Sequence, residues 1–249
     1  MSAGRFRSFA RSWLLQAGWN YDRMQHLGFA FAMMPSLARI FPRPAERGLA
    51  VRRHLEYFNT HPFMGAALVG ASVRLEEEVA AGRARPDEVV SFKTGIMGSY
   101  GAIGDAFFWA AARPLGAVIA VILSLLGAGA WGPAAFVLLY DAIAIPVRAY
   151  GFFAGTTIGP MVVAKLARIP FATLTRSFKI ASAALSGMAA ALWAWHWPGL
   201  SRPASEAAAF VLLVAVAGSA RRGVAPAGLA MLLAAAAALS RIWIPGLGG

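Results

Sequence analysis

Seven residues in the first half of the chain have the chemistry to hold a small polar molecule, and they lie beside predicted helix breaks. Carboxylates and amides offer the acceptors that neutral sugar hydroxyls need, and neighbouring aromatic rings such as Tyr57, Phe58 and Trp109 can cover a sugar face. The predicted pathway residues are Glu56, Asn59, Thr60, Glu77, Lys93, Gly104 and Asp105. For the three adjacent acids Glu76–Glu78 the alternative is a solvated helix face. At least one of them must point away from any site, because adjacent helical positions point in different directions.

The most unusual stretch is the apolar run from residue 95 to residue 109, GIMGSYGAIGDAFFW. It carries four glycines at every third position, followed by an aspartate: Gly95, Gly98, Gly101, Gly104 and Asp105. Each glycine within a helix costs about 0.5–1 kcal/mol relative to alanine, so the run predicts close backbone approach or a helix break. An aspartate at membrane depth is a functional candidate. The alternative is a glycine seam against a neighbouring helix, with Asp105 capping a helix that starts at Ala106, and both interpretations can hold.

Other kinds of site fit the sequence poorly. His54, Glu56 and His61 lack the spacing of a helical zinc site, and Pro62 breaks the helix between them. No nucleophile-elbow motif supports a hydrolase, and no Gly-Lys-Ser/Thr follows the glycines to form a phosphate loop. With no cysteine in the chain there is no disulfide or thiolate site. We therefore predict no catalytic residue, no metal and no cofactor.

Composition indicates an integral membrane protein. The 249 residues are 59% hydrophobic and 14% charged, whereas soluble domains have about 25% charged residues. The net charge of +12 does not point to nucleic acid, because the arginines lie between apolar runs, where they indicate cytoplasmic loops.

The N-terminal region is predicted to be cytoplasmic and to lie at the membrane interface. Residues 5–26 predict an amphipathic helix with Phe6, Phe9 and Trp13 on its apolar side. The apolar stretch 29–41 is too short to span a bilayer. The following helix is expected to end near residues 59–60, before Pro62, which places Glu56 and Asn59 on one face.

The remainder predicts membrane helices. Apolar residues 115–130 and 133–147, flanked by Arg113 and Arg148, suggest a hairpin with arms below about 20 residues and both ends cytoplasmic. Residues 151–164 suggest a broken or re-entrant segment, and Lys165–Lys179 a basic cytoplasmic loop. Further spans are expected at 180–197, which ends in a tryptophan belt, and at 206–220 and 224–239, which leaves the C-terminus outside.

The resulting fold class is an all-α polytopic membrane protein with an interfacial amphipathic N-terminal helix, broken or re-entrant helices and about five to seven membrane segments. Three regions are expected. Residues 1–62 form the cytoplasmic and interfacial region, 63–165 the core with glycine-rich helices and the hairpin, and 166–249 the C-terminal spanning helices.

Four motifs carry a resemblance to a known family. FARSWLLQAGWNYDRMQHLGF, RRHLEYFNTHPF, LEEE and KTGIMGSYGAIGDAFFW, in this order and spacing, resemble the IID component of mannose-family sugar phosphotransferase systems. The match extends over roughly residues 9–165, whereas the C-terminal third resembles the family only in hydropathy.

The resemblance implies a permease subunit in the bacterial plasma (inner) membrane. Such a subunit pairs with a membrane IIC subunit, and the heterodimers are expected to form a trimer in contact with membrane lipid. Soluble IIA and IIB components carry phosphate from phosphoenolpyruvate, and IIB phosphorylates the incoming hexose, so IID itself is not the enzyme. No nucleic-acid partner is implied.

The sequence departs from the family pattern at the glycine run. The family usually has Gly-Pro-Leu-Ala-Gly where this chain has residues 98–102 as GSYGA, and Asp-Pro where it has Asp105-Ala106. A shorter C-terminal region, with Ser201–Ser205 in place of a polar insertion, is a further difference. These departures motivate an alternative, a structural or regulatory subunit that scaffolds IIC or IIB without transporting sugar.

Overall fold

In the computed structural model, which describes residues 3–195, every regular element is helical. This confirms the predicted all-α class for that part of the chain. The elements are α1 Ala3–Ser12, α2 His26–Ile40, α3 Pro44–His54, α4 Pro62–Ala80, α5 Pro86–Gly104, a π-helix Asp105–Ala112, α6 Arg113–Leu125, α7 Trp131–Ile158, a 3₁₀ turn Gly159–Met161, α8 Val162–Leu166 and α9 Phe171–Trp195. The predicted spans at 206–220 and 224–239, the end of the tryptophan belt and the external C-terminus lie outside the described residues.

The described chain forms two compact units. The first contains residues 3–110 and 141–175, and the second contains residues 111–140 and 176–195. Helices α1 to α5 lie in the first unit, as do residues 141–158 of α7 and the whole of α8. The candidate site described below belongs entirely to this first unit.

Prolines begin three of the helices in the first unit. Pro44, Pro62 and Pro86 occupy the first helical position of α3, α4 and α5, where the missing N–H costs nothing. The Glu88 carboxylate accepts the Arg85 backbone N–H at 2.9 Å and closes the start of α5.

The N-terminal amphipathic helix is shorter than predicted, since it ends at Ser12 instead of continuing to residue 26. The next thirteen residues form a loop of turns. Its Asn20 side-chain oxygen accepts the backbone N–H groups of Asp22 and Arg23 at 3.1 and 3.0 Å. Such local side-chain bonds compete with helical ones, which explains why the apolar periodicity did not produce a helix here.

Helix α3 also ends early, at His54, and an irregular segment runs from residue 55 to residue 61. The cause is a tertiary contact with the loop before α2. The Gln25 side chain donates to the Thr60 carbonyl at 2.7 Å and accepts the Thr60 N–H at 3.2 Å. Glu56 and Asn59 are therefore not on one helix face, and that prediction was wrong.

Helix α4 is the centre of the first unit. Thirteen of its residues are buried, and α7 approaches it closely because Gly155 faces Ala67 and Ala71. A Cβ on Gly155 would lie 2.7 Å from the Ala67 carbonyl oxygen, so only glycine permits this contact.

Among the described residues, two helical stretches are long and apolar enough to cross a membrane. They comprise 40 residues over Pro86–Leu125 and 36 residues over Trp131–Leu166. The glycine run does not break the first stretch, and Asp105 has helical angles of φ −63° and ψ −44°, so it is not the N-cap of a new helix that starts at Ala106. The chain changes from α- to π-helix at Asp105 instead.

The predicted hairpin is present as α6 and α7, joined by a turn between Leu125 and Trp131. The second arm is longer than predicted, since α7 has 28 residues, whereas α6 has 13 and ends before residue 130. Arg113 and Arg148 lie within helices instead of flanking the hairpin. The predicted re-entrant segment begins as the last two turns of α7, and the chain breaks only at Gly159. Most of the predicted basic loop 165–179 is also helical, since α9 starts at Phe171.

Candidate functional site

A pocket of about 480 Å³ lies between the loop after α1, the irregular segment before α4 and the end of α5. Three predicted pathway residues, Asn59, Thr60 and Asp105, line it together. The other lining residues are Gln16, Trp19, Gly101 and Trp109. Residues from three separate parts of the chain thus form one concave, partly polar site.

The last two glycines of the run allow α5 to reach the start of α4. A Cβ on Gly101 would lie 3.7 Å from the Thr60 Cα, and one on Gly104 would overlap the His61 ring. Gly95 and Gly98 have no atom within 4 Å of the position that a Cβ would take. The predicted glycine seam is therefore present at Gly101 and Gly104, whereas Gly95 and Gly98 contact no described part of the chain.

Aromatic rings build the wall behind the pocket. The His61 ring stacks on Phe108 with centroids 4.9 Å apart and planes at 15°, and it meets Trp109 edge to face at 4.9 Å. Both partners belong to the π-helix, a rare conformation that is frequent at functional sites. Trp109 is 38% exposed, which leaves part of its ring free to contact a bound molecule.

Several polar groups at the pocket lack partners in the described part of the chain. The Thr60 side chain is only 4% exposed, yet its hydroxyl has no hydrogen bond. Asn59 and Asp105 are exposed in the pocket, and no described residue hydrogen-bonds or ion-pairs with their side chains. A buried hydroxyl without a partner costs about 1–3 kcal/mol, so this group is available for a ligand.

His61 contributes a further donor beside this wall. Its Nδ1 accepts the Phe63 N–H at 3.3 Å, which leaves the proton of the neutral ring on Nε2, and Nε2 has no partner. Burial, with a smaller effect from the Arg148 charge, lowers the His61 pKa to about 3. The ring is therefore neutral at physiological pH.

Comparison with known proteins decides what kind of chain holds this pocket. The family model of the PTS system mannose/fructose/sorbose family IID component matches residues 2–195. The chain belongs to this IID family. It is 42% identical over 161 residues to the mannose-specific EIID component of Escherichia coli K12, covering 62% of this chain and 55% of that protein. It is 32% identical over 189 residues to the fructose permease IID component of Bacillus subtilis, covering 76% and 68%.

Two solved structures share the fold. One is the mannose transporter ManYZ in complex with microcin E492, with a TM-score of 0.61, 26% identity and coverage of 99% of this chain and 98% of that chain. The other, described as a membrane protein, has a TM-score of 0.69, 28% identity and coverage of 99% and 91%. This IID chain is thus a membrane protein. The matched region spans about half the length of the mannose-specific relatives.

Four predicted pathway residues of this IID chain lie outside the pocket lining, and one of them, Gly104, packs against the His61 ring. Glu56 is exposed on the irregular segment. Lys93 is fully buried, where it donates to the Arg53 carbonyl at 2.5 Å and lies 5.2 Å from the Phe29 ring. Glu77 pairs with Arg5 at 2.8 Å and also with Arg39.

Behind the pocket segment the IID chain buries a charged cluster that connects α3 and α4. Glu76, which is fully buried, accepts Arg53 Nε at 2.7 Å and His54 Nε2 at 2.8 Å. Burial alone would raise the Glu76 pKa, but these hydrogen bonds outweigh it and lower the pKa below its usual value. Burial lowers the His54 pKa to about 4. The solvated-face interpretation is therefore wrong for Glu76.

Sequence reasoning missed Gln16 and Trp19 as lining residues and misassigned Arg148. The first two lie within residues 5–26, for which the sequence predicts a helix, and only the WLLQAGWNY motif indicates a role for them. Arg148, interpreted as a loop anchor, is 3% exposed; it donates to the Ser12 carbonyl and lies 4.5 Å from the Trp13 ring. A cation at that carbonyl complements the C-terminal end of α1.

Proposed function

We propose that this chain is the IID permease subunit of a mannose-family, phosphoenolpyruvate-dependent sugar phosphotransferase system. It translocates a hexose together with a IIC subunit in the bacterial inner membrane. The observation that carries the proposal is the pocket of this IID-family chain, which is lined by unpartnered polar groups of Asn59, Thr60 and Asp105 together with two tryptophans. Asp105 itself belongs to a helical stretch that is long and apolar enough to cross a membrane.

In this proposal the pocket residues bind a neutral sugar directly. The Asp105 carboxylate accepts hydrogen bonds from ring hydroxyls, Asn59 offers both a donor and an acceptor, and the Thr60 hydroxyl gains the partner that it lacks in the chain itself. Trp19 and Trp109 cover the apolar C–H faces of the sugar. Gly104 contributes indirectly, because the absence of a Cβ leaves room for the His61 ring.

The remaining predicted residues act by holding the elements of the site. Lys93 fixes the C-terminal end of α3 through the Arg53 carbonyl, and Glu77 fixes α1 and α2 through Arg5 and Arg39. Glu56 lies three residues before Asn59, where its charge can orient the exposed segment. None of these positions requires contact with the sugar.

The partners follow from the same proposal. The IIC subunit completes the pathway, IIC–IID heterodimers assemble into a trimer, and soluble IIA and IIB deliver phosphate to the sugar. IID carries no phosphoryl group. In support, two of the four histidines, His54 and His61, are buried, at 0% and 1% exposure, where a soluble phosphate carrier cannot reach them.

The proposed topology places the N-terminus and the turn after α8 in the cytoplasm and the α6–α7 turn outside. The chain has no native cysteine, so single cysteines at the exposed positions Ala130 and Ala167 make a matched pair. An impermeant thiol reagent added to intact cells is expected to label Ala130→Cys and not Ala167→Cys. The reverse pattern would overturn the orientation.

A scaffolding subunit that no longer transports is the second candidate. One observation favours it: α5 is helical through the region where the family's prolines are replaced. In this alternative the chain positions IIC or IIB, and the pocket binds no sugar.

Amide replacements separate the two candidates. Asp105→Asn keeps the side-chain shape and removes the charge, which contributes about 1.5–3 kcal/mol when hydrogen-bonded. Transport predicts normal co-purification with IIC and hexose uptake lowered about tenfold or more. Glu56→Gln is expected to have a smaller effect, and Asp22→Asn, on an exposed loop, serves as the control. Normal assembly and normal uptake in Asp105→Asn would remove this carboxylate from the mechanism.

A further inference from the structure

Helix α1 packs on α2 through its smallest side chains. A Cβ on Gly4 would lie 3.2 Å from the Pro35 carbonyl oxygen, and the Ser8 and Ser36 hydroxyls, both buried, are 2.8 Å apart. Ser12, also buried, lies on the same side one turn further along. Phe6, on the opposite side of α1, is therefore exposed, whereas Phe9 contacts the Phe152 and Phe153 rings with centroids 5.4 and 5.0 Å apart.

The result is an exposed surface that we name the N-terminal apolar face. Its six residues are between 39% and 56% exposed: Phe6, Trp13, Leu14, Leu27, Phe31 and Met34. The three residues from α2 recur at helical spacing. The Arg11 guanidinium lies 4.4 Å from the Phe31 ring and joins the α1 and α2 parts of the face.

The charge beside this face is strongly positive. Arg7 and Arg11 have no carboxylate partner within residues 3–195, and Arg5 and Arg39 share the single carboxylate of Glu77. Glu77 also lies 3.7 Å from Arg74, so three guanidinium groups share its carboxylate and none of its charge is left for Arg7 and Arg11. No acidic residue precedes Asp22 in the sequence, so the first helix contributes only positive charge.

We propose that the N-terminal apolar face is a binding surface for anionic phospholipid of the cytoplasmic leaflet. Acyl chains cover the exposed aromatic and aliphatic side chains, and the phosphodiester groups accept hydrogen bonds from Arg7 and Arg11. An apolar helix face bordered by unpaired arginines has the complementary charge for such a surface. A protein partner would instead be expected to meet a mixed rim of both charges.

The position of the face links lipid binding to the candidate pocket. Helix α1 ends at Ser12, and its carbonyl accepts a hydrogen bond from Arg148. The loop that follows directly supplies Gln16 and Trp19 to the pocket. Leaflet lipid that orders α1 therefore also orders one wall of the pocket. This consequence rests on the proposed function, whereas lipid binding itself does not.

The test is the affinity of the purified full-length chain for lipid in neutral detergent, measured by native mass spectrometry. Phosphatidylglycerol is titrated against phosphatidylcholine with the same acyl chains. Each arginine near a membrane surface is worth about fivefold in affinity, so Arg7→Gln with Arg11→Gln is expected to weaken phosphatidylglycerol binding about 30-fold. Phosphatidylcholine binding should change less than about twofold. The matched control is Arg43→Gln with Arg85→Gln, two exposed arginines outside this face.

Three further results decide the source and the partner. Free glycerol phosphate should not displace phosphatidylglycerol, because it lacks the acyl chains that the apolar side chains bind. Arg7→Gln alone, which breaks no contact within the described chain, should weaken binding about fivefold. Unchanged phosphatidylglycerol affinity in the double variant would overturn the proposal, and unchanged affinity with lost IIC co-purification would identify the face as a protein interface.

Discussion

At the scale of single residues, Thr60 is the most informative position of the pocket. Thr60→Val keeps the shape and removes a buried hydroxyl that has no partner, so stability should not fall, and the midpoint of thermal unfolding should stay level or rise. Hexose uptake should fall by about fivefold to tenfold if the hydroxyl binds sugar. The control is Thr156→Val, whose buried hydroxyl donates to the Phe153 carbonyl at 2.9 Å and whose loss should lower stability. Unchanged uptake in Thr60→Val would exclude a contact between this hydroxyl and the sugar.

Two buried histidines make stability depend on pH. The pKa of His54 is lowered to about 4 and that of His61 to about 3, so both rings are neutral in the folded protein while the unfolded chain binds protons below about pH 6.5. Stability should therefore be highest above pH 6.5 and fall as the pH drops towards 4. The lowered pKa of Glu76 acts in the same direction at still lower pH. Each histidine contributes a slope of about 1.4 kcal/mol per pH unit.

Thermal unfolding of the purified chain between pH 7.5 and 4.5 measures this slope. His54→Gln retains a donor for Glu76 but cannot titrate, so it should remove about half of the acid sensitivity. A wild-type unfolding temperature that does not change over this range would contradict the assignment of two neutral buried rings.

At the scale of elements, the glycine run provides a matched pair of substitutions. Gly104→Ala places a methyl group into the His61 ring and should destabilise the chain by about 1–3 kcal/mol. Gly95→Ala meets no described atom and should be neutral or stabilise α5 by about 0.5–1 kcal/mol. Thermal unfolding of the two variants in parallel tests this difference. Equal destabilisation would show that the run is needed as a whole and not for one close contact.

The helix start at Pro86 has a local cause, because a proline followed by Asp87 and Glu88 suits a first helical turn. The apolar hairpin was visible from its hydropathy. The early end of α3 could not be predicted, because it depends on Gln25 binding Thr60 thirty-five positions away. The π-helix likewise has no local signature, since it accompanies the packing of His61 against Phe108.

The candidate site was predicted in part for the same reason. Asn59, Thr60 and Asp105 are polar residues beside predicted helix irregularities, and the structure brings them together. Lys93 and Glu77 have equally suitable chemistry, but they do not line the pocket. Lys93 donates a hydrogen bond to the Arg53 carbonyl, and Glu77 forms ion pairs with Arg5 and Arg39. Gln16 and Trp19 were hidden because amphipathic periodicity continued through a loop. Sequence pattern thus identifies polar candidates, whereas tertiary contacts decide which of them face the pocket.

At the scale of the whole molecule, composition and family membership agree. The chain is 59% hydrophobic and belongs to the IID family, and its residues 3–195 contain two helical stretches long and apolar enough to cross a membrane. Half of its glycine run and the N-terminal apolar face remain uncovered by the described residues, as expected of a membrane protein.

The most direct test of the proposed function is sugar uptake in cells that carry the IIA, IIB and IIC components. The measurement is the accumulation of a labelled, phosphorylated hexose with this chain deleted, restored as wild type, or restored as Asp105→Asn at a matched membrane level. We expect uptake to be lost on deletion, to return with the wild-type chain, and to remain about tenfold lower with the variant while the complex assembles. Uptake that survives deletion of the chain would contradict the account.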